Sequence, residues 1–252
     1  MSSLTVKTIP ILSDNYAYVV SHGATALVID PGEPRPIREY VRKQNLDLEA
    51  VLLTHHHGDH VGGAGTLQRA FGSLITSPDS QRIAGTDHMV RKDTTFRVGA
   101  LEVRVLALPG HTSTHVGYYF PQLNALFTGD ALFGAGCGRL FEGTAEQMLR
   151  SLRSATSSGD ETLVYFGHEY TEENLLFALS IEPHNELVRA RLETTRKLLA
   201  CDEPTAPSTI AEEKQTNPFL RVSEPSIKAA LGMHDDDDAA VFAELRRRKD
   251  RF

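Results

Sequence analysis

The chain has 252 residues, 40% of them hydrophobic and 23% charged, a composition that fits a folded globular protein and excludes intrinsic disorder. A net charge of −7 argues against nucleic acid as the main partner, because phosphate binding draws on positive charge. No apolar run reaches the roughly 20 residues that cross a bilayer, and the opening MSSLTVKTIP lacks a basic stretch followed by an apolar one, so neither a membrane association nor a secretory leader is expected.

The predicted elements begin with three strands, LTVKTI, YAYVV and TALVID, separated by turns at Ser13-Asp14-Asn15 and His22-Gly23. DPGEP stops the third strand, and residues 36–44 read as a short helix. EAVLLT (49–54) is a buried strand, and residues 60–71 have helical spacing. SLITS, TTFRVG, LEVRVLAL, HVGYYF and NALFTGD continue the strand pattern. Residues 144–155 form an amphipathic helix, with Thr144 as its N-cap and Gln147 completing a capping box. ETLVYF (161–166) is one more strand. Beyond about Tyr170 the apolar residues recur every three or four positions, so a domain boundary is expected there: residues 1–170, then a mostly helical domain over 171–252. CDEPTAPSTIAEEK (201–214) is read as a loop. The run DDDD (235–238) suits a helix N-terminus, with RRRK at the other end of the same helix.

Against this background THHHGDH (54–60) stands out. Imidazole and carboxylate are ligands for zinc and similar metals. His55 and His57 are two apart and point the same way in an extended loop, so both reach one ion; Asp59 and His60 follow at a turn into a helix and reach a second. Further candidates each follow a strand: His111 after EVRVLALPG, Asp130 after NALFTG, His168 after ETLVYFG. Four strand ends carrying His or Asp imply loops converging on one sheet edge. Taken singly, a histidine is more often structural than ligating, and His22, His88, His184 and His234 are read as surface or packing residues. His56 is expected to point away from its neighbours, and His115 is left open.

THHHGDH, PGHTSTH, TGD and GHEY, in this order, resemble the metallo-β-lactamase superfamily, and GCGRLFEGTAEQM and GHEYTEENLLFALSIEP resemble its glyoxalase II family, the hydroxyacylglutathione hydrolases. The likeness runs from the first strand to RRRKDRF. It implies an α/β fold, an αββα sandwich followed by a smaller helical C-terminal domain that binds glutathione. It implies two divalent ions, one held by His55, His57 and His111, the other by Asp59, His60 and His168, with Asp130 bridging. Zinc is the first choice of metal, iron and manganese the alternatives. The implied reaction is thioester hydrolysis of S-(2-hydroxyacyl)glutathione by a hydroxide bridging the metals, with Asp59 orienting it or collecting its proton. The typical substrate, S-D-lactoylglutathione, would give D-lactate and glutathione in the second step of methylglyoxal detoxification. A thiol leaving group has a pKa of about 8.5 and departs without a strong general acid.

By the same resemblance Arg246 and Lys249, three apart on one helix face, hold a glutathione carboxylate, and Tyr170 contacts its peptide part. Arg139 stands where many members have lysine and keeps the charge; Phe141 stands where many have tyrosine and lacks the hydroxyl. Cys137, flanked by glycines with no histidine near, is read as a tight-turn residue rather than a nucleophile. FTGDALFGAGCGR lacks the GxxxxGK[ST] spacing of a phosphate loop. With only Cys137 and Cys201 and no CxxC pair, a reducing cytoplasm and a monomer are expected. The competing readings are a mononuclear-iron persulfide dioxygenase, a lactamase or lactonase of the same superfamily, and a non-catalytic metal scaffold. The basic tail and complete ligand set speak against all three.

Overall fold

A computed structural model describes residues 4–252, which pack into two compact units. Unit 1 takes the chain up to Ala107 together with Thr114–Gly129; unit 2 takes Leu108–Ser113 and Asp130–Phe252.

In unit 1, β1 (Leu4–Ile11), β2 (Asn15–His22) and β3 (Thr25–Ile29) pair antiparallel. Helix α1 (Pro34–Lys43) leads to β4 (Asp47–Leu52), which lies parallel to β3. The run expected as one helix over 60–71 is split into a single turn, α2 (Gly58–Val61), and α3 (Ala64–Phe71). The break falls at Gly62-Gly63, where Gly63 N leaves the helical pattern to donate to Pro31 O at 2.7 Å. Then come β5 (Leu74–Ser77) and β6 (His88–Met89), extending the parallel side. Strands β7 (Thr95–Val98), β8 (Leu101–Ala107), β9 (Val116–Phe120) and β10 (Ala125–Gly129) form an antiparallel run.

The edge strand β1 alternates half-buried and exposed residues, whereas β2 is buried almost throughout. Both faces of the central strands are covered, hence their continuous apolar sequence. On one face Ala17, Val19, Val28 and Val51 pack with Ile37 and Val41 of α1 and Leu67 of α3. On the other, Tyr18 meets Phe127 of β10 edge-on, ring centroids 5.3 Å apart, and Phe127 meets Phe120 of β9 at 5.3 Å. Burying such side chains contributes about 1.5–3 kcal/mol each. The two-faced core therefore does more than the short ladders to fix the strand ends that carry the ligands.

Unit 2 opens with a small hairpin of β11 (Leu132–Phe133) and β12 (Gly136–Cys137). Helix α4 (Ala145–Ala155) has the expected capping box between Thr144 and Gln147. Strand β13 (Leu163–Phe166) precedes α5 (Thr171–Ile181) and α6 (Glu186–Leu199). The supposed loop 201–214 contains β14 (Ser208–Thr209), paired to β13, and the start of α7 (Ile210–Thr216). Thr209 caps α7 by accepting from Glu212 N at 3.1 Å. Helices α8 (Pro225–Leu231) and α9 (Asp238–Lys249) complete the unit, and Asp237 caps α9 through Ala240 N at 2.8 Å. Leu175 and Ala178 of α5 pack with Val188 and Leu192 of α6. The packing thus divides the chain at Gly129 and Asp130, before the change of sequence texture near residue 170, because α4 packs against α9. Among the described residues no helix is long and apolar enough to cross a membrane.

Candidate metal centre

Each unit carries its own set of ligand-type side chains. In unit 1 they follow the ends of β3 and β4. These strands are parallel neighbours, so Asp30 and Thr54 meet: Thr54 N donates to Asp30 Oδ1 at 2.8 Å and Thr54 Oγ1 to Oδ2 at 2.6 Å. His60 Nδ1 lies 3.0 Å from the same Oδ2. Three donors compensate a carboxylate only 3% exposed.

These contacts set the tautomers. A carboxylate accepts, so His60 Nδ1 carries the hydrogen. Thr54 spends its own hydroxyl hydrogen on Asp30, so His55 Nδ1, 3.0 Å from Thr54 Oγ1, is the donor there too. In the neutral rings both Nε2 atoms are left with bare lone pairs. His55 Nε2 faces His57 Nδ1 at 3.1 Å, and His60 Nε2 faces Asp59 Oδ2 at 3.6 Å. Asn15 Nδ2 donates to Asp59 Oδ2 at 2.9 Å. The bare His60 lone pair aimed at a carboxylate oxygen repels it unless a cation sits between them, so this donor set fits a metal ion. Asp30, His55 and His60 can each bring an atom within 4.8 Å of the others, but Asp30 occupies the Nδ1 side of His60 and serves as the carboxylate that orients it. Gly32 lets the two segments touch: a Cβ there would lie 1.8 Å from Asp59 O.

His56 turns toward Arg82, Nε2 to Nη1 3.5 Å. His115, left open by the sequence, is buried and stacks on His55 at 4.8 Å, so it packs the ligand-type ring in place.

In unit 2, His111 Nε2 and His168 Nε2 approach one atom, Asp130 Oδ2, at 3.4 and 3.3 Å. His111 Nδ1 lies 2.9 Å from Arg139 O, a carbonyl that can only accept, so Nδ1 carries the hydrogen and Nε2 is bare. Here too a neutral ring presents a lone pair to a carboxylate oxygen, an arrangement that a cation between them relieves. Ser113 N and Oγ both donate to Glu142 Oε2 at 2.7 Å, tying the segment that carries His111.

Four of the five expected substrate contacts divide by burial and partners. Arg139 is exposed, and Phe141, 63% exposed, lies edge-on to His111 at 5.2 Å. Tyr170 stacks on His168, rings 4.8 Å apart and 8° from parallel. Arg246 is buried, donating through Nη1 to Cys137 O at 2.8 Å and through Nε to Asp250 Oδ1 at 2.9 Å. The fifth, Lys249, pairs with Glu173 and lies over the Phe252 ring at 5.5 Å. Burial pushes the Cys137 thiol up to about 11 despite the nearby Arg246 guanidinium, which leaves it without thiolate character at neutral pH.

The sequence reading missed Asp30, Thr54 and Asn15. Asp30 ends a strand just as Asp130 does, so the rule that found one could have found the other. Nothing in the sequence marks Arg139 O.

The fold and these two ligand sets define a metal-dependent protein of the metallo-β-lactamase class: the family model described as Metallo-beta-lactamase superfamily matches residues 12–168, more than half the chain. A second, Hydroxyacylglutathione hydrolase C-terminus, matches residues 169–252. The chain is 44% identical to the hydroxyacylglutathione hydrolase of Chromohalobacter salexigens, over 99% of this chain and 100% of that protein. It is 46% identical to that of Methylococcus capsulatus, over 99% of each. The crystal structure of ETHE1 from Myxococcus xanthus superposes with a TM-score of 0.68 at 26% identity, covering 97% of this chain and 98% of that one. The chain belongs to the hydroxyacylglutathione hydrolase family, and it has the metallo-β-lactamase fold with a divalent-metal site.

Proposed function

We propose that this chain hydrolyses S-(2-hydroxyacyl)glutathione, with S-D-lactoylglutathione yielding D-lactate and glutathione in the second step of methylglyoxal detoxification. The observation that carries this reading is the pair of imidazole nitrogens converging on Asp130 Oδ2 in a chain whose C-terminal region matches that of the glutathione thioesterases. Two divalent ions, zinc before iron or manganese, are assigned to His55, His57 and His111 and to Asp59, His60 and His168, with Asp130 shared. The family membership and the fixed tautomers of His55, His60 and His111 support that division. Ions so held acidify a water and polarise a carbonyl oxygen.

The chain's own residues do the rest. Asp59, its Oδ2 held by Asn15, is assigned to orient the attacking water or to receive its proton. Asp130 keeps His111 and His168 aimed at one point. The glutathione thiolate, with a pKa of about 8.5, leaves without a general acid. Arg139 and Lys249 are assigned to the carboxylates of glutathione, Phe141 and Tyr170 to its apolar and peptide parts, and Arg246 to the same end of the substrate, backing Lys249. The functional division is placed near residue 170, chemistry before it and substrate recognition after, which the junction of the two matched families at 168 and 169 supports. Both cysteines are free, which supports a reducing cytoplasm as the compartment; a monomer suffices for this chemistry.

The test is steady-state hydrolysis of S-D-lactoylglutathione beside the same acyl thioester of a small uncharged thiol. The glutathione thioester is expected to show a much larger kcat/KM. Equal turnover of both would remove glutathione recognition, and turnover of neither by metal-loaded protein would remove the thioesterase reading.

A further inference from the structure

The β11–β12 hairpin separates Asp130 from Arg139, and neither the ligand assignment nor the substrate assignment uses it. Its peptide groups are gripped by four side chains from three segments of unit 2. Asn174 Nδ2 of α5 donates to Gly134 O at 3.0 Å. Glu213 Oε2 of α7 accepts from Ala135 N at 2.8 Å. Asn217 Nδ2 donates to Gly136 O at 2.9 Å, and Arg246 Nη1 of α9 donates to Cys137 O at 2.8 Å. All four side chains are buried.

Glu213 is the unusual member. It is fully buried, and its charge is balanced by Arg191, also buried, Nη2 to Oε1 2.6 Å. Asn217 Nδ2 adds a bond to Oε2 at 3.1 Å. A buried ion pair is a poor way to gain stability, since desolvation offsets most of the attraction. What a carboxylate adds over an amide is a stronger, more directional bond to a peptide N–H. The peptide in question needs one: Ala135 has φ +54°, a left-handed conformation that non-glycine residues hold only when the surroundings impose it.

Both ends of the hairpin belong to the metal centre. Asp130 precedes it. Gly138 N donates to Ala131 O at 3.3 Å, and a Cβ on Gly138 would lie 2.0 Å from Asp130 O, so the returning strand rests directly on the Asp130 backbone. Arg139 O, the next carbonyl, fixes the tautomer of His111.

We infer that the Arg191–Glu213 pair is a positioning device for the metal centre: it locks the Ala135 turn and thereby sets Asp130 and the carbonyl that orients His111. This rests on the reading of His111, Asp130 and His168 as ligands. The experiment uses full-length protein loaded with cobalt(II), followed by its visible spectrum and by competition with a chelator. Glu213→Gln is expected to weaken metal affinity by about 10- to 100-fold, the usual effect of losing a group that orients ligands, to alter the cobalt spectrum, and to lower kcat with little change in KM. Glu182→Gln is the control. Glu182 is a buried carboxylate of the same unit, bonded to Arg221 and Ser226 and not to a hairpin peptide; it is expected to lose stability alone. A Glu213→Gln protein that loses only stability, with unchanged affinity and spectrum, overturns the inference. If Glu213→Gln does not fold, the Arg191→Met/Glu213→Gln double variant, free of the uncompensated charge, is read by the same criteria. Asp130→Ala separates the two failures: retention of both ions there would sink the ligand reading itself, whereas loss there with a normal Glu213→Gln would sink only the positioning role.

Discussion

The two units build their ligand sets in different ways. In unit 1 the rings follow the ends of parallel strands, and a side chain on the neighbouring strand end, Asp30, orients them through Thr54 and His60. In unit 2 the ring of His111 is oriented by a backbone carbonyl, Arg139 O, which follows the short paired strands β11 and β12. That hairpin is held further by Asn174, Glu213, Asn217 and Arg246. Strand-end ligands inherit the rigidity of the sheet. Loop ligands need scaffolding from elsewhere, and here the C-terminal helices supply it. On the proposed reading the helical region therefore serves the metal centre as well as substrate recognition.

The largest effect is expected at Asp130, on which His111 and His168 converge. Asp130→Ala should lose bound metal and activity together, measured as metal content after desalting and as kcat; two retained ions with full turnover would end the assignment. The matching change in unit 1 is Asp30→Asn. An amide nitrogen turned toward Thr54 Oγ1 or His60 Nδ1 would put donor against donor, and an amide oxygen is a weaker acceptor. Metal affinity is expected to fall by about 10- to 100-fold without any direct ligand being removed. An unchanged affinity would mean that the rings of unit 1 are fixed by packing, such as the His115 stack, and not by the carboxylate.

The same contrast explains what could be read in advance. The His and Asp residues at strand ends were legible because apolar runs ending in such residues are local, and the capping box at Thr144 and Gln147 was legible for the same reason. Asp30 was overlooked although it obeys that rule, since DPG reads first as a turn. Helix α7 was lost in a stretch with two prolines, although Thr209-Ile210-Ala211-Glu212 carries its own N-cap signal. The grip on the hairpin could not be read at all. It joins Gly134–Cys137 to side chains 40 to 109 positions away, and no local pattern encodes such pairs.

A smaller effect distinguishes two basic residues of α9. Lys249→Ala is expected to raise KM with kcat nearly unchanged, as for a group that holds substrate and transition state alike. Arg246→Ala should also lower kcat, because it removes the bond to Cys137 O that steadies the hairpin. Identical kinetic profiles for the two variants would erase the difference between substrate contact and scaffold.

The smallest expected effect lies away from both ligand sets, at Glu182. Burial alone would raise its pKa, but hydrogen bonds from Arg221 and Ser226 outweigh that and hold it below the usual 4.5. A carboxyl whose folded pKa is depressed stabilises the protein above its unfolded pKa and loses that contribution as pH falls through the folded value. The gap in stability between the protein and its Glu182→Gln variant should therefore be widest near neutrality and close as pH drops below 4.5. Denaturant midpoints of the two metal-free proteins across that range measure it, since any pH dependence of the metal centre is common to both and cancels in the gap. A gap that stays constant into acid would mean that Glu182 acts through shape and not through charge. Arg191–Glu213 would then have to be tested for the same possibility, since its carboxylate is likewise buried and paired with an arginine.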